Sequence, residues 1–269
     1  MTRGAPRPAD TPRAIERVPG GVLAIDKPLG WTSHDAVAVA RKVLGMRRVG
    51  HGGTLDPLAT GVLPILAGPA TRFVDRLHTA AKVYAALVLF GSETTTDDRE
   101  GEVRATAEPP DLRAADLDRS LAPFRGDLLQ VPPGRSAVKV GGRRAYALHR
   151  AGEDFTLEAR SVRVHRLEIA SWQPPALRVL IVCGSGTYVR ALARDIGRSL
   201  GSAAHLGGLR RLAVGALDAG EATTVEQLRA AGRDAAVALL RPADDRLLEI
   251  AGRYLSEPAA SILGTWEVA

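Results

Sequence analysis

The stretch GHGGTLDPLATG, residues 50 to 61, carries a single carboxylate, Asp56, behind two adjacent glycines and directly before a proline, with His51 upstream. A lone acid in that setting is either the group that does chemistry or the cap of a short helix. The Asp–Pro pair suits a cap, because Asp accepts from first-turn amides and Pro sacrifices no bond at the next position. On spacing alone the capping reading leads. Gly52 and Gly53 count the other way, since glycine lets a backbone turn sharply or approach a ligand closely. No G-K-[ST] follows, so this is not a phosphate-binding P-loop.

A second candidate is CGSGTYVRALARDIG, residues 183 to 197. A strand running into G-S-G and a helix resembles a dinucleotide fingerprint, but Val189 stands where its third glycine belongs and Leu206 where its acid belongs. That reading is rejected. If Ser185 or Thr187 caps the helix, Arg190 falls in the first turn, where the macrodipole disfavours a cation by roughly 0.3–1 kcal/mol. A positive charge there calls for an anionic partner, either a protein carboxylate or a phosphate. Arg190, Arg194 and Arg198 also form a stripe at helical spacing, which a solvated helix face would equally produce. Tyr84, at the start of KVYAALVLF, is either a core residue or a ring that stacks on a base and exchanges a proton through its phenol. Lys27 precedes Pro28 in a turn and is expected to be solvated unless a phosphate or carboxylate is near.

These residues need elements to hold them. GVLAID reads as a strand closed by the turn KPLGW. Ser33 reads as the N-cap of HDAVAVARKVLG, which Gly45 ends. TRFVDRLH is a short helix, KVYAALVLF a strand rich in β-formers, and GSETTTDDREGE a loop without calcium-loop spacing. DLRAADLDRSLAPF reads as an amphipathic helix, SAVKV, SVRVHRLEIA and LRVLIVC as strands, and AYALHRAG, YVRALARDIGRSL and VEQLRAAG as helices. Runs of strands with helices between only some of them argue for an α+β fold, with a mixed, mostly antiparallel sheet flanked by helices.

Of 269 residues, 45% are hydrophobic and 25% charged, the balance of a globular chain. No apolar run approaches the roughly 18 residues that span a bilayer, and the start lacks an apolar leader region. A cytoplasmic protein with no membrane association is therefore expected. Cys183 is the one cysteine and sits in an apolar run, so it reads as core. The six histidines show no paired-ligand spacing, so no metal is expected. The net charge is +6, and only Lys27, Lys42, Lys82 and Lys139 of 36 basic residues are lysines. Arginine forks suit phosphates, although a GC-rich genome favours the same composition. Residues 1–20 hold four prolines and read as a basic arm without a core; 21–240 form the main domain; 241–269 are a short appendage with one strand-like and one helix-like piece.

Taken together, LAIDKPLGWTSHDAV, GHGGTLDPLATGVLPI, KVYAALVLFG, CGSGTYVRALARDIG and LGGLRRLAVG resemble, in order, blocks of the TruB family of bacterial tRNA pseudouridine-55 synthases, over about residues 21 to 240. The resemblance implies the pseudouridine synthase fold and isomerisation of one uridine in the T loop of tRNA. It implies Asp56 as the essential carboxylate, acting by covalent attack or by removing a ribose proton. Arg190 is then its ion-pair partner, since both routes need an ionised acid in a site that excludes water. Tyr84 would stack on the target ring and share in proton transfer, and His51 would insert into the loop from which the base is flipped. Lys27 would support the site floor and Leu209 would lie beneath the ring. Lys139 and Arg194 are expected to contact substrate. The implied partner is the T arm of tRNA; no cofactor is implied, and the chain is expected to be a monomer.

Two departures stand out. PPGRSAVK replaces a more aromatic segment, which bears on RNA contacts around Arg135 and Lys139. Relatives also continue into a PUA or PUA-like domain, of which residues 241–269 could be a truncated start. The competing reading is a non-catalytic tRNA-binding or RNA-folding protein that uses the same basic surface; a guide-RNA-dependent synthase is a third.

Overall fold

The structure, a computed structural model, describes residues 20–136, 138–151, 153, 155–264 and 266. The expected basic arm lies outside these residues, apart from Gly20. The described strands are β1 (Gly21–Lys27), β2 (Val49–His51), β3 (Ala59–Ala67), β4 (Lys82–Phe90), β5 (Ser92–Thr94), β6 (Val103–Thr106), β7 (Gly126–Gln130), β8 (Lys139–Val140), β9 (Arg143–Arg144), β10 (Arg160–Gln173), β11 (Ala176–Cys183), β12 (Ala204–Val214), β13 (Leu217–Asp218) and β14 (Thr223–Thr224). The α-helices are α1 (Ser33–Leu44), α2 (Val74–Thr79), α3 (Ala114–Ser120), α4 (Ala145–Arg150), α5 (Val189–Ser199), α6 (Val225–Ala238), α7 (Arg253–Ser256) and α8 (Ala259–Leu263).

One large sheet runs β14-β1-β3-β12-β4-β11-β10-β7, with β2 paired to β3 and β13 to β12. Among the described strands of this sheet, β1–β14 and β3–β12 pair in parallel and the other pairs are antiparallel. The fold is therefore α+β with a mixed, mostly antiparallel sheet. Strand alternation sends Tyr84, Ala86, Val88 and Phe90 of β4 to one face, where they pack with Leu192 and Ile196 of α5. Val83 and Ala85 point to the other face, onto Tyr254, Ala259 and Leu263.

Two central strands go beyond those expected from the apolar pattern: β3, and β12, AHLGGLRRLAV, whose glycines and arginines interrupt its apolar run. β12 nevertheless occupies the middle of the sheet, between β3 and β4. Gly61 permits that pairing. Its φ is +100°, and a Cβ there would stand 2.2 Å from the carbonyl oxygen of Arg211.

Several local expectations change. Thr32, not Ser33, caps α1, in a capping box with Asp35, and Gly45 ends the helix in the left-handed conformation as expected. Ser33 is buried, and its hydroxyl donates to the Leu55 carbonyl at 3.1 Å and accepts from the Leu55 amide at 2.9 Å. Neither Ser185 nor Thr187 caps α5; Tyr188 holds the N-cap position without a side-chain cap. Gln130 of β7 substitutes for one, accepting from the Tyr188 amide at 2.8 Å and donating to its carbonyl at 3.1 Å. Of the 241–269 segment, the described residues hold a 3₁₀ turn at Asp245–Leu248 followed by α7 and α8; residues 265 and 267–269 lie outside the described residues. Tyr254, Ala259 and Leu263 bury these helices against the sheet that carries β4 and β11, so the segment shares the main core.

Candidate active site

No helix follows Asp56. Pro57 and Leu58 form a tight turn, closed by the Ala59 amide donating to the Asp56 carbonyl at 3.0 Å, and the chain enters β3 directly. The helix-cap expectation fails for that reason: the apolar run ATGVLPILA is a buried strand. The turn is pinned from several sides. Ser33 holds Leu55, and the Gly30 amide donates to the Pro57 carbonyl at 2.8 Å. Arg211 reaches the carbonyls of Thr54 and Gly53. The backbone is thus fixed while the carboxylate stays open, with 41% of the Asp56 side chain accessible. The expected exclusion of water is not a property of the protein alone.

Arg190 Nη2 lies 2.9 Å from Asp56 Oδ2. The arginine is buried at 5% exposure and donates to the Thr96 carbonyl at 3.0 Å and the Arg135 carbonyl at 2.9 Å. Asp98 Oδ2 sits 3.6 Å from its Nη1. A first-turn cation in α5 therefore meets two carboxylates, which offsets the unfavourable dipole.

The expectation of a simple loop for GSETTTDDREGE gives way to a buried turn. Its first residues form β5, paired with β6, and Glu93, Thr94, Thr96, Asp97 and Asp98 are all buried. The turn is stitched to β12, with the Leu206 amide donating to the Asp97 carbonyl and the Arg99 amide to the Leu206 carbonyl, both at 3.0 Å. Asp97, at φ +60°, faces Arg194 at 2.7 Å. Burial pushes the Asp97 carboxyl above its ordinary range, against the pull of Arg194. Glu93 binds both Arg198 and Arg104, and the Arg198 hydrogen bonds foremost hold its carboxyl down at about 2. Acid and base count alone did not reveal that the acidic run and the arginine stripe are each other's partners.

The expected substrate contact of Arg194 is at odds with this geometry. The residue is 6% exposed and its guanidinium engages Asp97, Asp195 and the Val131 carbonyl, so it is turned into the protein. Lys27 is likewise not solvated. It is fully buried and donates to the carbonyls of Pro28 at 2.9 Å and Trp31 at 2.7 Å. Burial lowers its pKa to about 8, with Asp56 the leading opposing influence. It braces the KPLGW turn, whose Gly30 in turn holds Pro57.

Tyr84 is buried on the α5 face, in one cluster with Leu55, Leu58 and Ala59, and half-buried Leu209 packs against that cluster. Burial raises the phenol above its ordinary value, while the charge of Arg211 pulls it down. Leu209 pairs with Ala59 on one side and Ala86 on the other, which places it beside the Asp56 turn. His51 ends β2, half-buried, edge-on to the ring of His34 at 5.5 Å. Its Nδ1 is buried without a hydrogen-bond partner, and burial lowers its pKa. Lys139 stands exposed on the β8–β9 hairpin and Arg135 is half exposed beside Glu100. Cys183 is core, its thiol pushed by burial to about 11.

Sequence reasoning missed Asp98, Gln130, Tyr188 and Arg211. The Arg190 dipole argument called for an anion and so could have led to Asp98. Gln130 and Tyr188 meet through Tyr188 backbone groups, and Arg211 binds mainly distant carbonyls, so local sequence carried no signal for them. Among the described residues, no cluster of His, Cys, Asp and Glu is arranged to hold a metal ion, and no helix is long and apolar enough to cross a membrane. The arrangement offers one open, fixed carboxylate with a buried guanidinium against it, and an aromatic ring on the same face of the sheet.

Comparison with known proteins bears on this site. The family model for the N-terminal domain of TruB family pseudouridylate synthases matches residues 41–189, and the model for the tRNA pseudouridylate synthase B C-terminal domain matches 190–247. The tRNA pseudouridine synthase B of Nocardia farcinica is 49% identical over 213 residues, which cover 78% of this chain and 70% of the relative. That of Cupriavidus pinatubonensis is 44% identical over 253 residues, covering 93% of this chain and 80% of the relative. Among solved structures, a chain of a Cbf5-Nop10-Gar1 complex superposes with a TM-score of 0.64 at 28% identity, covering 84% of this chain but only 61% of that one.

Proposed function

The chain belongs to the TruB family of pseudouridylate synthases, and we propose that it isomerises the uridine at position 55 in the T loop of tRNA to pseudouridine, with Asp56 as the essential carboxylate. The observation that carries this reading is the Asp56–Arg190 pair: an open acid on a rigid turn, with a buried guanidinium 2.9 Å away.

In this reading the target base is flipped out of the T loop, at a cost of a few kcal/mol, and lies over Tyr84 and Leu209. Asp56 acts on the ribose, either by attack at C1′ or by removing a ribose proton. The N1–C1′ bond breaks, the base turns, and C5 bonds to C1′, displacing the Asp56 carboxylate on the first route or accompanied by return of the ribose proton on the second; the C5 proton leaves and N1 gains one. Atoms and electrons balance without a redox partner. The RNA itself displaces water from the open side of Asp56, and Arg190 then supplies the countercharge that a carboxylate needs away from water. His51 inserts into the loop that the base has left. Lys27 and Asp98 act behind these groups, the first under the KPLGW turn and the second on Arg190.

The test is incubation of the protein with an unmodified tRNA transcript, followed by mapping of pseudouridine at each nucleotide. A single product in the T loop supports the reading. No product, or product confined to another arm, sinks it.

A further inference from the structure

The scheme above leaves one deeply buried charge unused. Arg211 is 2% exposed; its guanidinium donates to three main-chain oxygens, and, while burial raises the Tyr84 phenol, the charge and hydrogen-bonding reach of Arg211 draw it down. Nε donates to the Val62 carbonyl at 2.7 Å, Nη2 to Gly53 at 3.1 Å and Nη1 to Thr54 at 3.3 Å. Gly53 and Thr54 lie just before Asp56, and Val62 lies beyond it on β3. One side chain therefore joins the two ends of the segment that carries the acid.

The backbone of Arg211 adds to this. It pairs with Gly61 of β3 on one side and with Tyr84 of β4 on the other. The residue thus stands where the Asp56 segment, the Tyr84 strand and the centre of the sheet meet. Gly53 has φ +132°, a conformation that residues with a Cβ rarely adopt, and it turns its carbonyl onto Nη2. Burying a guanidinium is expensive unless its hydrogen bonds are made. A planar fork reaches three divergent carbonyls at once, which a lysine ammonium on a single stem does not do with the same geometry.

We propose that Arg211 is a positioning residue for the reaction. It clamps residues 53–62 so that the Asp56 carboxylate is held against Arg190 and in line with the ribose, and it does not touch the substrate. This rests on the function proposed above, and it goes beyond it by assigning the rate to a clamp on the acid's backbone as well as to the acid.

The test uses full-length wild type, Arg211→Lys and Arg211→Gln with an unmodified tRNA transcript. Single-turnover rate constants at saturating protein, reaction amplitudes and RNA affinity are measured separately. A misplacement of about 1 Å at the acid predicts a fall of about 100-fold in the rate constant of both variants. RNA affinity is expected to stay within about threefold, the split that marks loss of a transition-state interaction. Lysine keeps the buried charge and is the arm that remains informative if the glutamine variant does not fold. Rate constants equal to wild type, with only amplitude or melting temperature lowered, would reduce Arg211 to a stability role and overturn the inference. So would failure of both variants to fold. Wild-type inactivity on the transcript is a different result: it removes the proposed function, whereas an active wild type with fully active variants removes only the clamp.

Discussion

Arg190 and Asp56 form an ion pair of unequal partners, 2.9 Å apart, with 6% of the arginine side chain accessible and 41% of the aspartate. The cation is fixed by Thr96, Arg135 and Asp98, and the anion is left to face whatever arrives. Its geometry is set before any RNA binds, which is the arrangement expected of a preorganised electrostatic site.

Removing that fixed charge should slow chemistry more than binding. Arg190→Ala is expected to lower the single-turnover rate by at least about 100-fold. Arg190→Lys should not restore it, since one ammonium cannot reach Thr96, Arg135 and Asp56 together. Rapid-quench assays on T-arm RNA decide this; wild-type turnover in either variant would show that the arginine is dispensable to Asp56.

Arg194 makes a contrasting case. Arg194→Met removes the nearer cation of buried Asp97 and leaves it Arg104 at 3.7 Å, so the loss should approach but not exceed the about 3–5 kcal/mol of a fully broken buried pair. Urea unfolding should show that loss. The dependence of RNA affinity on salt should keep its slope, whereas loss of a phosphate contact would reduce it by about one.

The acidic turn also predicts a pH signature. Glu93 has an ordinary pKa of 4.5, and its partners Arg198 and Arg104 hold it at about 2 in the folded protein. A depressed carboxyl contributes stability that is present above the unfolded value and lost as pH falls from 4.5 towards 2. Wild type should therefore lose stability across that window more steeply than Glu93→Gln in parallel denaturation series. Asp97, raised by burial, contributes with the opposite sign, so the substitution at 93 and not at 97 is the informative one.

Much of this was legible in the sequence where local patterns decide structure. The β-rich runs of β4 and β11 and the Gly45 stop of α1 follow from short-range chemistry, and the Asp56 block carried the family resemblance. What was not legible depends on partners far along the chain. On spacing alone, before the resemblance, Asp56 read as a helix cap because an Asp–Pro pair says nothing about the strand pairing of ATGVLPILA with β1 and β12. The arginine stripe of α5 read as solvated or phosphate-binding because its carboxylate partners lie about a hundred residues away, in a turn that backbone bonds to Leu206 anchor beside α5. Ser33 read as a cap when its hydroxyl in fact serves Leu55. In each case a polar residue with a plausible local use has its actual partner far along the chain, where only the tertiary fold brings the two together.

The central claim is that Asp56 does the chemistry and is not needed to hold RNA. The most direct measurement compares wild type with Asp56→Asn on one unmodified tRNA transcript, following both RNA affinity and pseudouridine formed. The account predicts affinity within about threefold of wild type and no pseudouridine. Product at the wild-type rate from the asparagine protein would contradict it.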